Sequence, residues 1–409
     1  MRENILFFYK KSYGELHAGL PFILEAINKR ESSIPYFVYG SRERFEAIPE
    51  FYKEIIESNF KLLRISGFRL FLFFLKNFFK RNIIFTCDNG HNSKSRFLTC
   101  YWPFSRIVFF AHAYSLLSQN KSSLTEKEAG FYENEYNGYH HEALVVCHNS
   151  TEINYRKNTG FPSSNIIVAG NIGYSPSWLK YLEGCSDEQE RIKQRKKDFR
   201  KIIFIPVRDV HHKYLSYDNS VYLFESLVQM IKETPEYLFL IKAHPRQKNI
   251  KDFLRLMQEY NNVEIITLNT IVASSISDFV ISYWSSAISD ALATNTAVVE
   301  FHRHEFFHGQ LVRKNKKLIS LYNYYGLCPF YEEGEKVIDL LKSPDDWEGI
   351  RCEQQITYSD IYMKEYPRFV EELFDAFEKT PVKRNYFIGV VSYPVSVFKK
   401  IVGKIAIAY

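Results

Sequence analysis

The chain is 409 residues long, 46% hydrophobic and 24% charged, the balance of a folded protein and too long for one compact core. Those figures exclude a disordered, collagen-like or coiled-coil chain and a lone small binding module. The formal charge of +6 is unevenly placed: Lys61–Arg81 carries six basic residues without an acid and the stretch after Thr380 carries five without an acid, so the remainder is mildly acidic and a nucleic-acid groove is not expected.

In chain order, the first half alternates short β-branched or aromatic runs with helical stretches. Strands are predicted at Asn4–Tyr9, Tyr36–Tyr39, Asn82–Thr86, Arg106–Ala111, Ala143–Cys147 and Asn165–Ala169, with helices at Leu20–Lys29, Arg42–Ser58 and Thr151–Lys157. Glu183–Arg200 is almost wholly polar and reads as a linker or a solvated helix. The pattern then restarts, with strands at Lys201–Val207, Tyr237–Ala243, Val263–Thr267, Phe279–Tyr283 and Ala297–Phe301. Helices at Val221–Lys232, Lys251–Tyr260 and Ser286–Ala293 supply the crossovers, and helices at Lys336–Leu341 and Ser359–Lys379 close the chain. Such alternation predicts an α/β fold of two parallel sheets covered by helices. The expected domains are 1–185 and 200–380, facing a cleft, with a basic aromatic tail at 381–409.

An aromatic share of 17% gives the two basic segments the character of peripheral contacts with anionic lipid, at 61–81 and 381–409. The alternatives are a buried helix at Arg69–Phe79 with snorkelling ends, and a tail packed on its own protein. No run of ~18 uncharged apolar residues occurs and Ile5–Tyr9 is too short for a signal-peptide core. A cytoplasmic protein, peripheral on the inner face of the membrane, is therefore expected. Six scattered cysteines without a Cys-x-x-Cys pair suit reduced thiols and argue against a zinc site.

Ligands of such sheets bind at the carboxyl ends of the strands. There the segment Lys242-Ala243-His244-Pro245 ends an apolar strand, and the proline biases His244 to extended geometry at its tip. A histidine so placed donates to a phosphate oxygen; the alternative is a turn residue. Ser285 and Ser286 open the helix after Phe279–Tyr283, as an anion site or as ordinary caps. Asp290 meets a ribose hydroxyl or lies solvated on that helix. Arg208, in the first loop of the second half, offsets phosphate charge. His211 and His212 lack a third metal ligand, and no metal is expected.

In the first half, Gly14, His17 and Gly19 lie just past the first strand and open a helix, with the glycines allowing close approach and His17 lining an acceptor cleft. Asp88, after the strand Asn82–Thr86, is a general base or part of an Asp-Asn-Gly turn. His91 and His112 are the alternative bases.

Together the His-Pro pair at His244-Pro245, the Ser285-Ser286 pair running into Asp290, and the passage from Cys147-His148-Asn149-Ser150 to Gly170-Asn171 resemble glycosyltransferases of the B-type, two-Rossmann fold. The likeness is to the CDP-glycerol glycerophosphotransferase group and the bacterial polysialyltransferases and related CMP-sugar transferases of capsule and teichoic-acid synthesis. Asp88-Asn89-Gly90 is similar to the acidic-acidic-Gly motif of the polysialyltransferases, with Asn89 in place of the second acid. The resemblance implies that His244, Ser285 and Ser286 bind the phosphate of a cytidine nucleotide and that an acid, here Asp88, acts as base. It implies transfer of a sugar or polyol phosphate from a CMP- or CDP-activated donor, itself the substrate with no further cofactor, to a surface-polysaccharide or lipid-linked acceptor. The rival expectations are a nucleotide-sugar epimerase of the same architecture and a non-catalytic membrane-associated scaffold in polysaccharide export.

Overall fold

A computed structural model describes residues 3–9, 13–30, 32–64, 72–73, 75–77, 80–87, 105–110, 144–158, 163–168, 170, 172–175, 178–179, 182, 187–208, 210, 215–244, 251–283, 285–303, 311–314, 317–362, 371 and 373–376. Two wholly parallel sheets organise them. The first contains β1 (Glu3–Tyr9), β2 (Ile34–Tyr39), β3 (Lys61–Arg64), β4 (Arg81–Cys87), β5 (Ser105–Phe110), β6 (Leu144–Cys147) and β7 (Ile166–Val168), in the spatial order β3-β2-β1-β4-β5-β6-β7. The second contains β8 (Lys201–Val207), β9 (Tyr237–Ala243), β10 (Val263–Ile265), β11 (Phe279–Ser282) and β12 (Ala297–Phe301). After the antiparallel hairpin of β13 (Leu311–Lys314) and β14 (Lys317–Ser320), β15 (Phe330–Tyr331) joins its edge, giving β10-β9-β8-β11-β12-β15. Both orders reverse direction beside their first strand, the doubly wound pattern that opens a crevice at the carboxyl ends.

Helices α1 (Tyr13–Lys29), α2 (Arg42–Glu46), α3 (Glu50–Asn59) and α4 (Ser150–Asn158) accompany the first sheet. The second is accompanied by α5 (Asp187–Arg195), α6 (Tyr217–Glu233), α7 (Lys251–Met257), α8 (Thr270–Ser275), α9 (Ala287–Ala293), α10 (Leu321–Tyr324), α11 (Gly334–Lys342) and α12 (Asp345–Tyr362).

The central strands are continuous apolar runs because both of their faces are covered. Along β8 the period of two sends Ile202 and Phe204 into one core and Ile203, Ile205 and Val207 into another. The second core closes on α6, α11 and Trp347. The first is shared with β1, α1, α3 and β4, so one apolar mass spans both sheets. The chain's last described stretch also returns to the first half, where Glu371 pairs with Lys29 at 3.4 Å and Phe374 lies under the Arg30 guanidinium at 4.1 Å.

Several expectations are corrected. The single helix expected over Arg42–Ser58 is two, α2 and α3, because Pro49 lacks the amide hydrogen that continuation requires. Lys61–Arg64, assigned to a lipid-facing basic segment, is an edge strand of the sheet, and Arg81 begins β4 with its guanidinium 3.2 Å from Glu3. For Glu183–Arg200 the helix alternative holds, as the partly exposed α5, and it is tied to the second sheet: Glu188 accepts from the Thr267 amide at 3.1 Å, and Arg195 pairs with Glu264 at 2.6 Å. No helix among the described residues is long and apolar enough to cross a membrane.

Candidate functional site between the two domains

The second sheet presents a row of side chains at its carboxyl edge. Strands β8 and β9 are in register up to Val207 opposite Ala243, so Arg208 and His244 are the next residues on adjacent strands, whose spacing is about 4.8 Å. On the other side of β8 lies β11, and Ser285 and Ser286 follow its end. The reversal of strand order falls between β8 and β11. Arg208 and His244 are both half-buried and Ser286 is exposed. The Ser285 hydroxyl accepts from the Ala287 amide at 3.3 Å, whereas Ser286, the residue before α9, makes no capping bond with its side chain.

From the first half, α1 reaches α9, the helix that follows Ser285 and Ser286. It begins at Tyr13, directly beyond β1, which places Gly14 and His17 in its opening turns. Gly19 has a packing function instead of the ligand approach expected for it: a Cβ there would meet the Phe110 ring at 2.8 Å and the Phe7 ring at 3.1 Å. Its bare backbone lets α1 lie against β1 and β5.

The two halves meet at Asp290, on α9. Its side chain is only 7% exposed, which overturns the solvated alternative, and its oxygens are held by hydroxyls. Tyr174 donates to Oδ1 at 2.8 Å and Thr270 donates to Oδ2. His17 Nε2 stands 3.6 Å from Oδ1, and the His17 ring meets Tyr174 edge-on with centroids 5.9 Å apart. Asp290 is thus a bridge between domains. A second bridge lies alongside, where Asn269 caps α8 through the Ile271 amide and donates to the Tyr52 hydroxyl at 3.1 Å. Burial pushes the Tyr52 phenol up, with the Asn269 bond opposing and the Asp290 carboxylate adding to the rise.

Lys242, expected on the donor side, braces a turn of the second sheet. Its ammonium donates to the Thr267 carbonyl at 2.9 Å and to the Leu268 carbonyl, fixing the turn that delivers Asn269 and Thr270. Burial pushes this amine down to about 8, against the opposing pull of Glu188 and Asp290. Asp88, His91, His112, Pro245, His211 and His212 lie outside the described residues. Tyr174, Thr270, Asn269 and Tyr52 carried no signal in the sequence beyond being polar; each acquires its place from a partner remote in the chain.

No family model matches this chain, and no curated protein does. Solved structures do. The UDP-GlcNAc 2-epimerase from Neisseria meningitidis bound to UDP-GlcNAc is 13% identical with a TM-score of 0.59, covering 93% of this chain and 100% of that one. A glycosyltransferase from Rickettsia africae is 12% identical with a TM-score of 0.51, covering 98% and 99%. The wall teichoic acid polymerase TagF, as a histidine-to-asparagine variant soaked with CDPG, is 13% identical with a TM-score of 0.54, covering 93% and 88%. At such identities the likeness defines the fold: α/β, with two Rossmann-like domains, the GT-B architecture that these proteins have in common.

Proposed function

We propose that this protein is a transferase that moves a sugar, or a related polyol phosphate, from a CMP- or CDP-activated donor to a lipid-linked or surface-polysaccharide acceptor. The observation that carries the reading is the placement of Arg208 and His244 at the neighbouring ends of β8 and β9, with β8 bordering the switch point of the second sheet. A guanidinium and an imidazole there offset the charge that develops on a departing phosphate, and Ser285 and Ser286 complete the donor side. Protein groups of this kind can offset phosphate charge by themselves, and the activated donor is the substrate.

The first domain supplies the acceptor side. A proton must leave the attacking hydroxyl, and His17, held across the cleft against Asp290, has the residue type and the place to take it. Asp88 remains the alternative base from the sequence. Attack on the anomeric carbon or on phosphorus breaks its bond to the nucleotide's phosphate, while the hydroxyl proton passes to His17. Arg208 and His244 hold the nucleotide that leaves. The basic tail at 381–409 brings the enzyme to the inner, anionic face of the membrane, where lipid-linked acceptors lie.

Incubation with CMP- and CDP-linked donors should release CMP only when a lipid-linked acceptor is added. Conversion of a nucleotide sugar without acceptor would instead carry the reading as a nucleotide-sugar epimerase of the same architecture. Vesicle flotation tests the membrane contact: a chain ending at Thr380 should lose most of its affinity for phosphatidylglycerol vesicles, and undiminished flotation would remove the tail from the account.

A further inference from the structure

The Asp290 cluster has a composition that packing does not require. A buried carboxylate needs partners, because removal from water costs it solvation that only hydrogen bonds or an opposite charge restore. Asp290 has two hydroxyl donors, Tyr174 and Thr270, one on each oxygen. Both are neutral. The nearby ammonium of Lys242 is turned to the carbonyls of Thr267 and Leu268, and the other ionisable neighbours, Tyr52, Tyr322 and Tyr362, are phenols that burial holds protonated. Among the described residues, the imidazole of His17 is therefore the group at which a positive charge can form directly against Asp290, and it belongs to the other domain.

We propose that Asp290 is a positioning residue for His17, so that the second domain sets the acid–base geometry of the first. The proposal rests on the reading of His17 as the proton acceptor. Tyr174 fixes Oδ1, the oxygen that faces Nε2 at 3.6 Å, and Thr270 fixes the other. The carboxylate is thereby locked in rotation, and it selects the ring orientation of His17 and stabilises the imidazolium produced when the acceptor proton arrives. Contacts of this kind tighten in the reacting complex. Because the carboxylate and the ring sit on different domains, the proton acceptor is oriented only when the domains are together, which couples donor-side closure to acceptor activation.

The test compares wild type with Asp290→Asn, His17→Asn and the double variant, measuring kcat, donor KM and the calorimetric Kd for CMP. Asp290→Asn should lower kcat about 10- to 100-fold with the Kd for CMP unchanged. The double variant should be no slower than His17→Asn alone. A weaker Kd with intact kcat would make Asp290 a nucleotide contact, and losses that multiply would make the two residues independent; either result overturns the proposal. Imidazole nitrogen chemical shifts of His17 need no substrate: they should change in Asp290→Asn, and unchanged shifts overturn the proposal whatever the turnover. Full turnover by His17→Asn with those shifts altered would reject the proton-acceptor reading alone. Should Asp290→Asn fail to fold, Tyr174→Phe removes one hydroxyl and should lower kcat severalfold at constant Kd; unchanged kcat overturns the proposal.

Discussion

The two halves have the same strand order at their centres, yet they bring residues to the cleft by different means. In the second, Arg208 and His244 extend directly from β8 and β9, so the strand register that aligns Val207 with Ala243 also aligns them. In the first, His17 is carried by α1, and its position depends on how that helix lies on β1 and β5, where Gly19 touches Phe110. A register changes only by whole residues, whereas a helix seat shifts by fractions of an ångström. Under the proposed function, the donor side is therefore the coarse, robust part of the site and the acceptor side the finely adjusted one.

That contrast can be broken from either end. The largest effect is expected from the strand ends: His244→Ala should cut acceptor-dependent CMP release by about 10²- to 10³-fold while the thermal unfolding midpoint stays put, and retained turnover would remove His244 from the donor site. His17→Ala should lower kcat about 10²-fold with donor KM kept, as read by steady-state kinetics. Gly19→Ala should destabilise by about 1–3 kcal/mol in urea unfolding and lower kcat, because the new methyl displaces α1 from the Phe110 ring; adding Phe110→Leu should return part of both. If Gly19→Ala is silent, the helix seat is less exacting than the packing indicates.

The smallest effect concerns Lys242. Its folded-state value near 8 lies below the ordinary 10.5, so between those pH values the unfolded chain holds the extra proton and stability rises with pH. Below about 8 both states hold it and the slope vanishes. Replacing it by Lys242→Met should abolish this rise, measured as the urea midpoint at pH 7.5, 9 and 10.

Much of the fold was legible because buried parallel strands advertise themselves: β1, β8, β9 and β12 are apolar runs of β-branched and aromatic residues bounded by polar stretches. Short edge strands such as β3 and β15 were not, since four or two residues leave no periodicity to read. Arg208, His244 and Ser285 were legible as residues after strands. Asp290 was visible as an acid on a helix, but its meaning was not, because Tyr174 lies 116 positions away and the Tyr52–Asn269 bridge spans 217. No local pattern marks a contact between domains; the two sheets must first be docked through the core that Ile202 and Phe204 share with α1 and β1.

The return of Glu371 and Phe374 to the end of α1, on Lys29 and under Arg30, bears on synthesis. A ribosome delivers the first half long before the residues that complete its surface, so the nascent first domain waits with Leu373 and Phe374 still missing from its apolar mass. Assembly of this protein is in that sense finished from the back, and a stalled or shortened chain would leave the amino-terminal half for chaperones to hold.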